Sequence, residues 1–133
     1  IKKKIKDNYV DENNVFHKYI DKSKIVLCPY PVTAFLEGVL TGPTILIYDF
    51  ECSPFNYNYK TIEDEMIKNK MAFKNTKKAI EHINNIWSNP TEWWNSNEVK
   101  KILKSIRHNF CKTDTNSIDI WKNFIKNEYK SLN

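Results

Sequence analysis

Glycine is nearly absent from this chain: Gly38 and Gly42 are its only two. So few glycines exclude an all-β protein built on tight hairpin turns. Cysteine is scarce as well. Cys28, Cys52 and Cys111 form no closely spaced pair, and an odd number of three excludes a disulfide framework. A reducing compartment, the cytoplasm, is the expected setting. No apolar run approaches the roughly 20 residues of a membrane-spanning helix, and no signal-peptide pattern opens the chain. Arginine occurs once, at Arg107. A recognition helix with clustered arginines is therefore missing, and a nucleic-acid binder ranks last among the functions considered.

What is present describes a folded domain. Aromatic residues reach 14% of 133 residues, enough large side chains to build one core. The formal net charge is +5, but the only dense basic run is Lys2-Lys3-Lys4 with Lys6, a solvated end. A basic surface suits an anionic small molecule as well as a polyanion, and it leaves peripheral contact with a membrane surface open. The chain begins at Ile1, and it is expected to be the C-terminal part of a larger protein.

The hydrophobic patterns divide the chain. Residues 1–11 are charged and expected to be flexible, 12–74 form an α/β part, and 75–133 form a helical tail within the same single domain. A short helix is expected over 12–20. Lys24 to Cys28 reads as a strand between Ser23 and Pro29, and Thr44 to Tyr48 as a second. The second lacks polar alternation, which implies burial on both faces and a parallel sheet. Between them, 33–41 reads as a helix capped by Thr33 and ended by Gly42 and Pro43. Together these make a partial Rossmann-like βαβ unit, with a right-handed crossover. Two strands do not make a stable sheet, so further strands are required. The N-terminal segment, a partner chain or missing sequence are the sources expected. Met71-Ala72-Phe73 reads as a short edge strand. Three or four helices complete the tail. One starts at Asn75 or Thr76, one near Asn95 or Ser96 after the interruption at Pro90, and one near Asn116, with Ile118, Trp121, Phe124 and Ile125 on one face.

The candidate for chemistry is the turn Pro29-Tyr30-Pro31-Val32 and the helix start that follows. Ligands of open parallel sheets bind at the carboxyl ends of the strands, and a helix N-terminus offers free amides and partial positive charge to a phosphate. Thr33 supplies a hydroxyl, and the amides of Ala34 and Phe35 face the anion. The bland alternative is a helix cap with Glu37 in solvent. Asp49 and Glu51, just past the second strand, are placed for a ribose or for catalysis, or for plain solvation. Tyr30, Phe55 and Tyr57 can contact a base or cover the site, or pack beneath the next helix. His17, His82 and His108 have no companion at metal-ligand spacing, so no metal site is expected; no cofactor is expected either. Cys28, with no histidine near it in sequence, reads as core. Trp87, Trp93 and Trp94 read mainly as packing wedges, with sugar stacking the rival for the Trp93-Trp94 pair.

The stretch from Ser23 to Tyr48, with Phe35-Leu36-Glu37 opening a helix and Pro43-Thr44-Ile45 opening a strand, resembles the C-terminal half of GT-B-type transferases. It is similar to a family of bacterial surface-polysaccharide transferases, and distantly to the CDP-glycerol glycerophosphotransferases. Ala79 to Trp87, Glu92 to Asn95 and Val99 to Cys111 extend the likeness over about residues 15–112. The resemblance implies a donor site for a nucleotide sugar or nucleotide diphosphate. Thr33 and the Ala34 and Phe35 amides would hold the diphosphate, and Glu37 would brace the loop or the ribose. Val32 stands where similar families often carry a second hydroxyl, which removes one phosphate ligand. The resemblance also implies that an N-terminal acceptor domain is missing and that the fragment alone turns over nothing. The catalytic residues, the donor's base and sugar, the acceptor and the oligomeric state stay open. The alternative function is a non-catalytic protein-interaction module whose helical tail docks a partner.

Overall fold

The computed structural model of the chain describes residues 17–48, 59–111 and 116–131. In order, the elements are α1 (His17–Ile20), β1 (Val26–Cys28), α2 (Thr33–Thr41), β2 (Thr44–Ile47), α3 (Lys60–Lys68), β3 (Ala72–Phe73), α4 (Thr76–Ile86), α5 (Pro90–Trp94), α6 (Asn97–Phe110) and α7 (Ser117–Ser131). The strands form one parallel sheet in the order β1-β2-β3. Leu27 stands opposite Ile45, and Leu46 opposite Ala72. The fold is therefore α/β with a helical tail, as the apolar runs imply. One of the further strands the sheet requires comes from the chain itself, at Ala72-Phe73.

The central strand shows why its sequence has no polar alternation. Ile45 and Leu46 are both fully buried although they point to opposite faces. On one face, α2 and α6 meet over β1 and β2, and α3 packs on α6 and β3. Phe35, Val39, Met66, Met71 and Ile106 form the centre of that core. On the other face, α4 lies over β2 and β3, bringing the fully buried Ala79 to the sheet. Among the described residues, outer strand β1 is covered on one face only. Val26 and Cys28 are buried, whereas Leu27 between them stays 52% exposed.

The helix starts follow from capping chemistry, with one correction. Asn75 caps α4, its Oδ1 accepting from the amides of Lys77 (2.8 Å) and Lys78 (3.3 Å). The Ser96 hydroxyl caps α6 by accepting from Val99. Pro90 occupies the first turn of α5, where its missing N–H costs nothing. Thr33, expected as a cap, is instead the first residue inside α2. Val32 holds the cap position in extended conformation, and no side chain caps the helix. The Val32 carbonyl accepts from Phe35 (2.8 Å) and Leu36 (3.3 Å), so the helix begins one residue earlier than a threonine cap would allow. The expected helix over 12–20 is described only from His17 onward.

The last helix departs furthest from a simple packing picture. Helix α7 carries the apolar stripe that its spacing predicts, yet Ile118, Trp121, Phe124 and Ile125 are all more than half exposed. No described element packs extensively against it.

Candidate functional site

Parallel pairing puts the carboxyl ends of all three strands on one edge of the sheet. The turn after β1 enters α2 there. Helix α3 returns from that edge to the start of β3, so its first turn lies on the same side, and so does Asn75 at the head of α4.

The turn is open. Tyr30 is 60% and Val32 55% exposed, Thr33 is exposed and Ala34 half-buried. Phe35 is the anchor. Its ring is 2% exposed in the core, and its N–H is committed to the Val32 carbonyl. Only the amides of Thr33 and Ala34 are therefore left for a ligand at this helix start; neither donates a hydrogen bond among the described residues. Burying Phe35 fixes these two N–H groups against the sheet while their own side chains stay at the surface. Glu37 lies half-buried one helical turn beyond Thr33. The ring of Tyr30 meets the edge of Tyr48, just past β2, with centroids 6.0 Å apart. This ties the ends of β1 and β2 together at the mouth of the turn. Asp49, Glu51, Phe55 and Tyr57 lie outside the described residues.

The structure adds a charged group that spacing alone did not single out. In the first turn of α3, Lys60 Nζ lies 2.7 Å from Glu63 Oε1 and 2.9 Å from Asp64 Oδ1. Those two hydrogen bonds hold the Lys60 ammonium above its ordinary value. Glu63 itself is 1% exposed, and its second oxygen, Oε2, is buried without a partner. In sequence Glu63 looks like one more solvated acid. The available signal was its position between Ile62 and Met66 on the side of the helix that faces the core.

Of the remaining candidates Cys28 and Trp94 belong to the core, Trp93 is only partly covered, and Trp87, expected as a packing wedge, is instead at the surface. Cys28 is buried beneath α2, and burial pushes its thiol up, away from the ionised form a nucleophile needs. Trp94 is buried in the core, and Trp93 is half-buried, its indole N–H donating to the Asn69 carbonyl at 3.3 Å. Trp87 is exposed, with the Lys24 ammonium 5.1 Å from its ring centroid. Among the described residues no group of three metal-ligating side chains converges, and no helix is long and apolar enough to cross a membrane.

His82 is the buried exception on the far face. It packs against Phe73 and Trp93, and its Nε2 has no hydrogen-bond partner. Burial, and then the nearby charge of Lys70, lower its pKa below the ordinary 6.5. The unfolded chain thus takes up this proton more readily than the folded one. Its contribution to stability is intact above pH 6.5 and is lost as the pH falls toward the folded-state value. Urea midpoints measured from pH 7.5 down to 5 should fall, with a slope bounded by about 1.4 kcal/mol per pH unit for one proton. His82→Gln should flatten that slope. An unchanged slope would remove His82 as its source.

A family model described as LIC12162 family transferase matches residues 1–125, nearly the whole chain. No curated protein and no solved structure matches it.

Proposed function

We propose, from the premise that this chain belongs to the LIC12162 family of transferases, that it is the donor-binding part of a glycosyltransferase-like enzyme. The donor would be a nucleotide sugar or a related nucleotide diphosphate. The observation that carries this reading is the open turn before α2. Two amides unengaged among the described residues, at Thr33 and Ala34, and the Thr33 hydroxyl sit at the carboxyl edge of a parallel sheet. That is the position in open α/β sheets where phosphorylated ligands are held, and the helix start adds partial positive charge.

In this reading the turn positions the donor and stabilises the charge that develops on the leaving nucleotide diphosphate. Thr33 and the Thr33 and Ala34 amides take the diphosphate. Glu37 braces the ribose side, joined by Asp49 and Glu51, and Tyr30 flanks the base with Phe55 and Tyr57. The acceptor and the general base would belong to a further domain, in the GT-B arrangement, and the product to a surface polysaccharide. The test is a titration of the 15N-labelled chain with CDP and UDP. Shifts concentrated at Thr33 and Ala34, saturating near millimolar nucleotide, are expected. Silence at these two amides at about 10 mM nucleotide, a tenfold excess over a millimolar Kd, would overturn the reading.

The bare stripe on α7 favours a second reading, an interaction module. Because α7 makes no extensive contact with the other described elements, deleting residues 117–133 should leave the thermal midpoint within about 2 °C, the effect of a few tenths of a kcal/mol. The same deletion should abolish any concentration-dependent sedimentation of the chain. A larger loss of stability would show that α7 belongs to the core.

A further inference from the structure

Two clefts lie at the opposite, amino edge of the sheet, remote from the turn before α2. One, of about 230 Å³, runs along the Lys68–Lys70 turn and is walled by His82 and Ser96. The other, of about 350 Å³, lies beside the end of α4, between Asn85, Ser88, Asn89 and Glu92. They meet at Trp93 and Ser96, which line both. Joined, they are of the size that small-molecule sites have, about 300–1,000 Å³.

The chemistry of this joined cleft is specific. The Trp93 N–H is already bound to the Asn69 carbonyl and the ring packs against His82 and Trp94, so the indole is held in place and the part of it that lines the clefts is apolar. Around it stand amides, hydroxyls and carboxylates. The Asn85 and Ser88 side chains make no hydrogen bond among the described residues, and the Ser96 hydroxyl, which accepts from Val99, keeps its own proton to donate. Asn89 touches Glu92 at 3.2 Å, an exposed contact that a ligand hydroxyl can replace. The cleft charges balance, Lys68 and Lys70 against Glu92 and Glu98, so neither an anion nor a cation is favoured. His82 also lines the cleft, with its orphan Nε2 buried behind the wall.

We propose that the joined clefts bind a neutral sugar residue, its C–H face against Trp93 and its hydroxyls hydrogen-bonded by Asn85, Ser88 and Asn89. An apolar ring beside the unengaged Asn85 amide and Ser88 hydroxyl, and an Asn89 amide held only by an exposed contact to Glu92, matches the two surfaces of a pyranose, which is apolar on its face and polar around its rim. A purely apolar ligand would leave those polar groups desolvated and unpaired. The site stands independently of the phosphate reading, because it lies at the other edge of the sheet and uses none of the same residues.

The experiment is a titration of the 15N-labelled chain with maltose and with N,N′-diacetylchitobiose, and with inorganic phosphate in a parallel series. At least one disaccharide should shift the Trp93 indole N–H and the Asn85 and Asn89 side-chain amides, with a Kd near 1 mM. Asn85→Ala and Asn89→Ala lie on exposed positions and should fold normally, each weakening binding about fivefold, the effect of one hydrogen bond. The proposal fails if neither disaccharide moves these signals. It fails equally if phosphate alone moves them, or if both variants bind as the parent does. Shifts at Thr33 and Ala34 with nucleotide belong to the other edge and bear on the donor site alone.

Discussion

Gly38→Ala is expected to destabilise the chain by about 1–2 kcal/mol, although alanine is the better helix former. A Cβ built at Gly38 would stand 2.7 Å from Thr44 Oγ1, 3.0 Å from Thr44 Cγ2 and 3.4 Å from Val26 Cγ1. Thr44 cannot yield easily, because it is fully buried and its hydroxyl donates to the Gly42 carbonyl at 2.9 Å. Overpacking of this kind costs about 1–3 kcal/mol, while the helix gains back roughly 0.5–1 kcal/mol on losing a glycine. The overlap wins. Gly38→Val, with two further methyls aimed at the same wall, should cost about 3 kcal/mol or more and leave little folded protein at 37 °C. Thr44→Ala in the Gly38→Ala background removes both clashing atoms and should recover much of the loss, which a double-mutant cycle would show as a coupling. If Gly38→Ala instead stabilises the chain, α2 does not approach β2 this closely, and the turn at its head is not where the structure places it.

That close approach is also where sequence and structure meet most cleanly. The β1-α2-β2 unit is legible because a run such as Thr44-Ile-Leu-Ile, without alternation, can only be a strand buried on both faces, and the structure buries Ile45 and Leu46 completely. Strand β3 falls within Met71-Ala72-Phe73, where the sequence places an edge strand, but it is only two residues long and its parallel pairing with β2 depends on tertiary contacts that no local pattern encodes. The cap at α2 also differs from what the sequence implies. Threonine before a helix has the chemistry of a cap, but here the Val32 carbonyl takes two amides and shifts the start by one residue. Amphipathicity likewise shows which side of a helix is apolar and not what covers it. The stripes on α6 and α7 look alike in sequence; Val99, Ile102, Leu103 and Ile106 are buried, whereas Ile118, Trp121 and Ile125 are exposed.

Legibility at the site follows the same division. The open turn could be located because strand, prolines and helix follow in order, and chain order alone puts a βα turn at the carboxyl edge of a parallel sheet. Which amides are free could not be read, since that depends on where the Val32 carbonyl points. Glu63 could not be recognised either. Of the five acids from Glu63 to Glu92, namely Glu63, Asp64, Glu65, Glu81 and Glu92, only Glu63 is turned into the core, and its orphan Oε2 appears only once the helix is docked.

The donor reading has a sharper test than loss of binding on deletion of a side chain, because proline can remove an amide without harming the helix. Thr33 is the first residue inside α2, a position where proline is favoured and where the N–H has no intrahelical partner. The preceding residue must be extended to accept a proline after it, and Val32 already is, at φ −111° and ψ −172°. Thr33→Pro therefore deletes one of the two free amides and the hydroxyl together, while the fold should be unchanged or stabilised by about 0.4–1 kcal/mol. If the turn holds a diphosphate, affinity for CDP or UDP should fall at least tenfold, a loss of about 1.4 kcal/mol. Thr33→Val, which keeps the amide, should lose less, and the difference between the two variants isolates the backbone donor. A chain with Thr33→Pro that melts no lower and binds nucleotide as tightly as the parent would place the phosphate away from this helix start. The Lys60–Glu63–Asp64 group in the first turn of α3 would then be the next place to look along the same edge.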